Sequence, residues 1–400
     1  MGLQPVPTGP EESKAVEDSR ATALMSQARL GMRSGLKEYG LPLPKDYEKF
    51  LGVYANSVWV YSAVWIIATN ASSVPMYVVD NRGEDDARTV DIPALDRPND
   101  IMSPADLREA HHVSMELIGA DYWEIVGDEI YWIRPDRMRP IPDGRKFIKG
   151  YSLTVDGKTE TFKPEEIVAF RSFNPIDMYF GLAPTAAARL SIDSDYDGRY
   201  LFRKFFENAA IPAGVLETDY PNIGDKLRDQ LREEVKNLYQ GLQRAFEPMI
   251  LPAGLKWREI QIRPQNLSMI AFNQMSREEI LGAYRVPPIL VGLESQNYAT
   301  AREQKLTFWQ NNLIPKLSKF SGVVGHQYLS RIFGDKAGLK LKFDYSGVSP
   351  LQDAWKELGE FVVNLKRAGV LSANESRMIV NSFITALDLG TFPGGNTIYG

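Results

Sequence analysis

Apolar residues recur along this chain with two periods, and their alternation lays out helices and strands in mixed order. Val60, Val64, Ile67 and Ala71 repeat at helical spacing, and Val74 to Val79 then reads as a short strand ended by the turn Asn81-Arg82-Gly83. Ser103-Pro104 opens a helix running to about Ile118, with Ser at the cap and Pro at the first position. Short strands follow at Tyr122–Val126, Ile130–Ile133, Tyr151–Val155, Thr159–Phe162 and Ile167–Phe170, with Asp156-Gly157 as a hairpin turn between two of them. Pro184 starts a long helix to about Asn208, ended by Ile211-Pro212. A small module comes next: a strand at Gly214–Glu217, a helix at Asp225–Phe246, and strands near Met249–Leu251 and Trp257–Ile260. Leu267–Tyr284 is a helix stopped by Pro287-Pro288, and a further helix runs from about Ala299 to Arg331 with a kink expected at Pro315. After a strand at Leu341–Phe343 the chain is mainly helical, at Pro350–Ala368 and Ser372–Ile384, before a Gly-rich tail. The class is α+β. Helices 184–208 and 267–284 bracket the module 211–264, an arrangement that describes a stalk with a tip.

Composition narrows the function. Of 400 residues 44% are hydrophobic and 24% charged, enough for two or three globular domains. The formal net charge is −5, whereas proteins that grip nucleic acid through its phosphates are usually basic. Any nucleic-acid role is therefore loose or steric. The absence of cysteine excludes disulfides, thiolate zinc sites and cysteine nucleophiles. Residues 1–20 have no apolar core of a secretory signal and read as a disordered arm. Phe50–Val79 has no charge and is long enough to span a bilayer, but Asn56, Ser57, Ser62, Thr69 and Asn70 interrupt it and Pro75 breaks it. A buried helix followed by a strand is the better reading.

Reactive chemistry is largely missing. There is no phosphate-binding P-loop, no nucleophile elbow and no zinc-protease helix motif. His111 and His112, adjacent on a helix, point about 100° apart and cannot chelate one ion, so these and His326 read as structural. Asp193-Ser194-Asp195-Tyr196-Asp197-Gly198 matches the first half of a calcium loop, but Lys204 stands where the bidentate Glu belongs. One continuous helix with an Asp195–Arg199 pair reads better there. Glu233-Glu234 and Glu278-Glu279 face apart on helices, as solvated surface does. Arg199, Arg203 and Lys204 form a weak basic stripe, equally explained by ion pairs between subunits.

Several segments resemble the portal proteins of long-tailed, double-stranded DNA bacteriophages, from about Tyr54 to Arg377. They are residues 60–68 with Val74-Pro75-Met76-Tyr77; Arg97-Pro98-Asn99; Ser103-Pro104-Ala105-Asp106-Leu107; and Gly119-Ala120-Asp121-Tyr122-Trp123. Pro175 to Pro184, ending Gly181-Leu182-Ala183-Pro184, has Ala183 where the family usually has Ser. Phe205 to Leu216, Tyr284 to Gly292 with its Val-Pro-Pro, and Ala373-Asn374-Glu375-Ser376-Arg377 complete the series.

The resemblance implies a portal fold. Residues 1–40 would be a disordered arm, 41–183 the first part of an α/β wing, 184–210 and 265–291 two stem helices, and 211–264 a small α/β clip. Residues 292–298 would be a tunnel loop, 299–349 the long kinked helix with the rest of the wing, and 350–400 a helical crown with a flexible tail. Such a protein is not an enzyme and needs no cofactor or metal. It self-assembles into a ring, twelve-membered in the virion, at the capsid portal vertex, after assembly in the host cytoplasm. Double-stranded DNA passes through it in packaging and ejection. The implied partners are the terminase large subunit, a head–tail adaptor, the major capsid protein and scaffold, with no membrane. Ser295, Gln296, Asn297 and Tyr298 would face DNA; Arg199, Arg203 and Lys204 would lie in the stem; Lys226, Arg228, Arg232 and Trp257 are positioned to dock motor or adaptor. Two other classes compete: a hydrolase or nuclease with an atypical site, and a membrane-associated scaffold using residues 50–79.

Overall fold

The charge-free stretch, with the three residues before it, forms two helices, α1 (Tyr47–Asn56) and α2 (Val58–Ser72), meeting at 99°, ahead of its strand. The break falls at Ser57, whose extended backbone and side-chain oxygen cap α2, accepting from the Val60 N–H at 3.5 Å. The computed structural model describes residues 47–80, 88–144, 146–207, 214–218, 226, 229–230, 233, 255–259, 269–293, 298–334 and 338–383. The chain divides into two compact units, residues 1–187 with 281–400, and residues 188–280. Among the described residues no single helix is long and apolar enough to cross a membrane; α1 and α2 pass that test only jointly, across their bend. The inner face of α2 is fully buried at Val60, Ala63, Val64, Ile67, Ala68 and Ala71.

In the first unit the described strands form three antiparallel three-stranded sheets, as expected of an α+β protein. One joins β1 (Met76–Asp80) to β2 (Arg88–Val90) and to β11 (Leu339–Phe343), far along the chain. The second has β3 (Ala120–Val126) between β4 (Glu129–Ile133) and β8 (Ile167–Arg171). The third pairs β5 (Met138–Asp143), β6 (Phe147–Val155) and β7 (Lys158–Phe162). Asp156 and Gly157, at φ 50° and 79°, make the two-residue turn between β6 and β7 that their sequence predicts. The β5 strand has no clear signal in the sequence, because Pro140 and Pro142 interrupt it. It is an edge strand with an irregular register at Ile141/Pro142, where missing N–H groups are tolerated.

Helix α3 (Pro93–Asp96) is a single turn, and α4 (Pro104–Leu117) packs on α2. The cap of α4 is a reciprocal capping box: Ser103 Oγ accepts from the Asp106 N–H, and Asp106 Oδ2 accepts from the Ser103 N–H at 2.9 Å. The long helix α8 covers residues 298–333 and threads the unit. It alternates α segments (Tyr298–Phe308, Ile314–Val323, Ser330–Phe333) with π turns (Trp309–Leu313, Val324–Leu329). The first π turn answers Pro315, whose ring would clash with the carbonyl four residues back and whose missing N–H would break an α ladder. There the Ile314 N–H bonds five residues back, to Trp309. At the second π turn Gln327 accepts from the Ala169 N–H (2.8 Å) and donates to the Ala169 carbonyl (3.0 Å), standing in for a neighbouring strand at the β8 edge.

Phe320, on the middle α segment of α8, holds the core. Its ring stacks on Phe170 of β8 at 5.5 Å and contacts Trp123 of β3, Phe343 of β11 and His111 of α4. The unit ends in helices α9 (Ser349–Arg367) and α10 (Ala373–Phe383), with Arg302 of α8 paired to Glu357 of α9 at 2.8 Å.

The second unit contains α6 (Arg189–Glu207), the antiparallel pair β9 (Gly214–Thr218) and β10 (Leu255–Glu259), and most of α7 (Met269–Tyr284). A single turn α5 (Pro184–Ala187), in the first unit, precedes α6, so the helix expected at 184–208 breaks at Ala188. Ser191 Oγ of α6 donates to Glu279 Oε2 of α7 at 2.5 Å.

The Gly181 of the Gly-Leu-Ala-Pro segment is required sterically. An added Cβ there would lie 1.8 Å from the Gly119 carbonyl oxygen, which itself accepts from the Ser172 N–H at 2.8 Å. Gly119 is at φ +80°, and a Cβ on it would meet the Leu182 carbonyl carbon at 2.7 Å. Gly181→Ala is expected to cost about 1–3 kcal/mol by overpacking, read as a lowered urea midpoint; an unchanged midpoint would refute the account.

Candidate functional site

The chain leaves the first unit after Ala187 and re-enters it at Leu281. At these crossing points the first unit builds a continuous set of hydrogen bonds. The Thr185 hydroxyl donates to the Glu116 carbonyl of α4 at 2.9 Å, so its one proton is spent. The Tyr284 hydroxyl, 2.6 Å away, must then donate to Thr185 Oγ1. Burial pushes the Tyr284 phenol up, against the opposing effect of the Thr185 bond, so the hydroxyl keeps the proton that this bond needs.

Helix α7 ends at Tyr284 in a closed C-terminal motif. The Val286 N–H bonds back to the Leu281 carbonyl at 3.0 Å and the Arg285 N–H to Gly282 at 3.0 Å, with Pro287 next in sequence. That motif needs a left-handed residue, usually Gly, and Arg285 takes the position at φ 55°. The two carbonyls left over, Tyr284 and Arg285, accept from Asn312 Nδ2 at 2.9 and 3.2 Å. Asn312 sits in the first π turn of α8. The turn made for Pro315 thus holds the side chain that caps α7 from 28 residues away.

Beside this junction is a cavity of about 410 Å³, lined by His112, Glu116, Tyr284, Arg285, Asn312 and Lys319 among others. Glu116 is buried and pairs with Lys316 through Oε1 at 2.6 Å. Glu116 Oε2, His112 Nε2 and Asn312 Oδ1 are buried without a protein partner, a setting that draws in solvent. Burial, reinforced by His111, Lys316 and Arg108, holds the His112 imidazole well below its usual pKa. Burial and then Arg171 lower the Lys319 ammonium. The neighbouring His111 makes a different set of contacts: its Nδ1 lies 2.9 Å from Oδ2 of the fully buried Asp121, whose Oδ1 accepts from the Trp132 indole at 2.8 Å. Among the described residues no group of three or more His, Asp or Glu side chains converges to hold a metal ion.

The residues singled out from sequence are dispersed. Arg199, Arg203 and Lys204 are exposed on α6; Arg199 is bonded to Asp195 of its own helix at 2.8 Å, and Lys204 lies over the Tyr200 ring at 5.5 Å. Residues 193–198 are all helical and form no calcium loop. Lys226 is exposed on a helical residue, and Trp257 sits in β10 opposite Leu216 of β9. Tyr298 is the first residue of α8. Ser295, Gln296, Asn297, Arg228 and Arg232 lie outside the described residues. Thr185, Tyr284 and Asn312 were not foreseen. Tyr284 and Asn312 had local markers, a Tyr directly before Arg-Val-Pro-Pro and an Asn pair just upstream of a helix-interior Pro, but no local pattern joins either of them to Thr185.

These features define an α+β protein whose second unit is inserted at two adjacent crossing points. The phage portal protein model matches residues 58–381, and the chain belongs to that family, whose members are structural particle proteins. Its function is that of a capsid portal, at the portal vertex. It is 27% identical over 343 residues to an uncharacterized protein of Rickettsia bellii, covering 82% of this chain and 88% of that one. It is 26% identical over 280 residues to the portal protein of Enterobacteria phage HK97, covering 66% and 65%. A chain from the neck of a native gene transfer agent particle, computed with C12 symmetry, superposes with a TM-score of 0.61 at 26% identity, covering 84% and 93%.

Two measurements test the junction. Unfolded, His112 takes up a proton near pH 6.5, while folded it stays neutral, so the unfolded state binds more protons below that pH. Stability should therefore fall with acidification from pH 6.5 toward the depressed folded pKa, by up to about 1.4 kcal/mol per pH unit. His112→Asn should flatten that slope in urea melts at pH 7, 6 and 5, and equal slopes would contradict it. Arg285→Gly should raise stability by about 1 kcal/mol, because it removes a side chain from a left-handed backbone; a loss of stability would show that the Arg285 side chain contributes more than its backbone costs.

Proposed function

We propose that this chain assembles into a closed ring of about twelve subunits through which double-stranded DNA enters and leaves the capsid. The observation that carries it is the match over residues 58–381, joined to the likeness, across 84% of the chain, to a chain from a neck computed with C12 symmetry. In this reading the first unit supplies wing, long helix and crown. Helices α6 and α7 are the stem, and the β9–β10 pair with the chain between forms the clip.

The loop ahead of α8, residues 292–298, faces DNA through Ser295, Gln296, Asn297 and Tyr298, which are polar and uncharged. Arg199, Arg203 and Lys204 serve stem packing, and Lys226, Arg228, Arg232 and Trp257 serve docking of the terminase large subunit and then a head–tail adaptor. Major capsid protein and scaffold surround the ring. Catalysis forms no part of this role. At −5 per subunit the ring is acidic, which suits passage: each phosphate neutralised by protein adds affinity, and a basic channel would brake moving DNA.

Negative-stain electron microscopy of the purified chain tests the reading directly. Rings with an open centre and rotational symmetry near twelve are expected; compact monomers or dimers at every concentration would overturn it.

A further inference from the structure

Helix α2 has an outward face that is apolar and carries no charge. Its fifteen residues contain no charge. Val58, Tyr61 and Trp65 are exposed at 58%, 47% and 48%, and their spacing of three and four places them on one side. Tyr54 of α1 extends the patch, its ring 5.0 Å from Tyr61. A surface helix ordinarily shows charged and polar residues to water. On α6 and α9 charged residues stand beside the exposed apolar ones: α6 exposes Asp193, Asp197, Arg203 and Lys204 with Leu190, Tyr196, Tyr200 and Leu201, and α9 exposes Lys356, Glu357, Glu360 and Arg367 with Phe361 and Val363, so α2 differs in having no charge at all. A bilayer does not fit the α2 face, since fifteen residues of helix span about 22 Å and the opposite side is packed into the core.

We infer that the Tyr54–Val58–Tyr61–Trp65 face is the dry centre of the contact between neighbouring copies of this chain in the ring. The inference rests on the ring reading and adds which surface closes it. Trp and Tyr are the residues on which protein–protein contacts most depend, once water is excluded around them. A head-to-tail ring also needs two different faces on each subunit. The first unit offers a second apolar set on other elements, with Phe361, Val370 and Met378 exposed at 58%, 58% and 67%. The occupant is a second copy, because closure of the ring pairs two different faces of the same chain.

The test uses the full chain. Trp65→Asp and Tyr61→Asp are each expected to raise the concentration for half-maximal ring assembly at least tenfold by mass photometry, with an unchanged far-UV spectrum and melting temperature, since neither side chain is in the core. Trp65→Gln guards against an unfolded variant and should act in the same direction. In the wild type, hydroxyl-radical labelling of Tyr61 and Trp65 should be strong in separated subunits and weak in rings. Rings that form at wild-type concentration in all three variants, or labelling equally strong in rings and subunits, would overturn the inference and leave the face free for a capsid partner. Labelling already weak in subunits would overturn it in favour of the chain's own residues 1–46. A wild type without rings would instead remove the ring reading itself.

Discussion

The first unit closes on one circuit of hydrogen bonds: Tyr284 to Thr185, Thr185 to the Glu116 carbonyl, and Asn312 to the carbonyls of Tyr284 and Arg285. Thr185 and Tyr284 stand 99 positions apart in sequence, and nearly all the residues between them belong to the second unit. An insertion of that length leaves the parent fold undisturbed only if its two ends are held together, because the entropy of closing a long loop must be met somewhere. Here it is met by buried bonds whose donors and acceptors are assigned without ambiguity. The Thr hydroxyl has a single proton, and the Asn312 amide nitrogen faces two carbonyls, so its oxygen points elsewhere.

The same circuit explains why α8 is irregular. A straight helix carrying Pro315 would lose a backbone bond and crowd the carbonyl of Asn311. The π turn at 309–313 takes up the extra residue and brings Asn312 to the end of α7. Five residues beyond Pro315, Phe320 locks the helix between the sheet of Trp123 and Phe170 and the sheet of Phe343. Helix geometry at one proline therefore sets the position of a distant helix cap and of the central core ring together.

Much of this was legible in the sequence, and what was not has a physical reason. Ser103-Pro104 and Asp156-Gly157 act within a few residues, and their cap and turn form where the sequence places them. Periodicity found α4, α7, α9 and α10 to within a residue or two. The β5 strand escaped because its two prolines argue against a strand unless the edge position is known. The separation of α1 from α2 escaped because both are apolar and only Ser57, one polar residue among several, marks the cap. The circuit at the crossing points was invisible for a different reason. Its partners lie 28, 69 and 99 residues apart, and no local pattern encodes which Tyr meets which Thr. Family resemblance supplied the function that periodicity could not.

Several locally unfavourable features lie where the chain crosses between units. Arg285 occupies a left-handed position at a cost of about 1–2 kcal/mol. His112, Glu116 and Asn312 each bury a polar atom without a protein partner, and the π turn gives up α geometry within a few residues of them. The packing around this cavity, above all Phe320 and the Glu116–Lys316 pair, holds the junction against these local preferences. In a portal subunit such a junction keeps the two ends of the inserted segment joined within the first unit, by buried bonds and not by the chain between them.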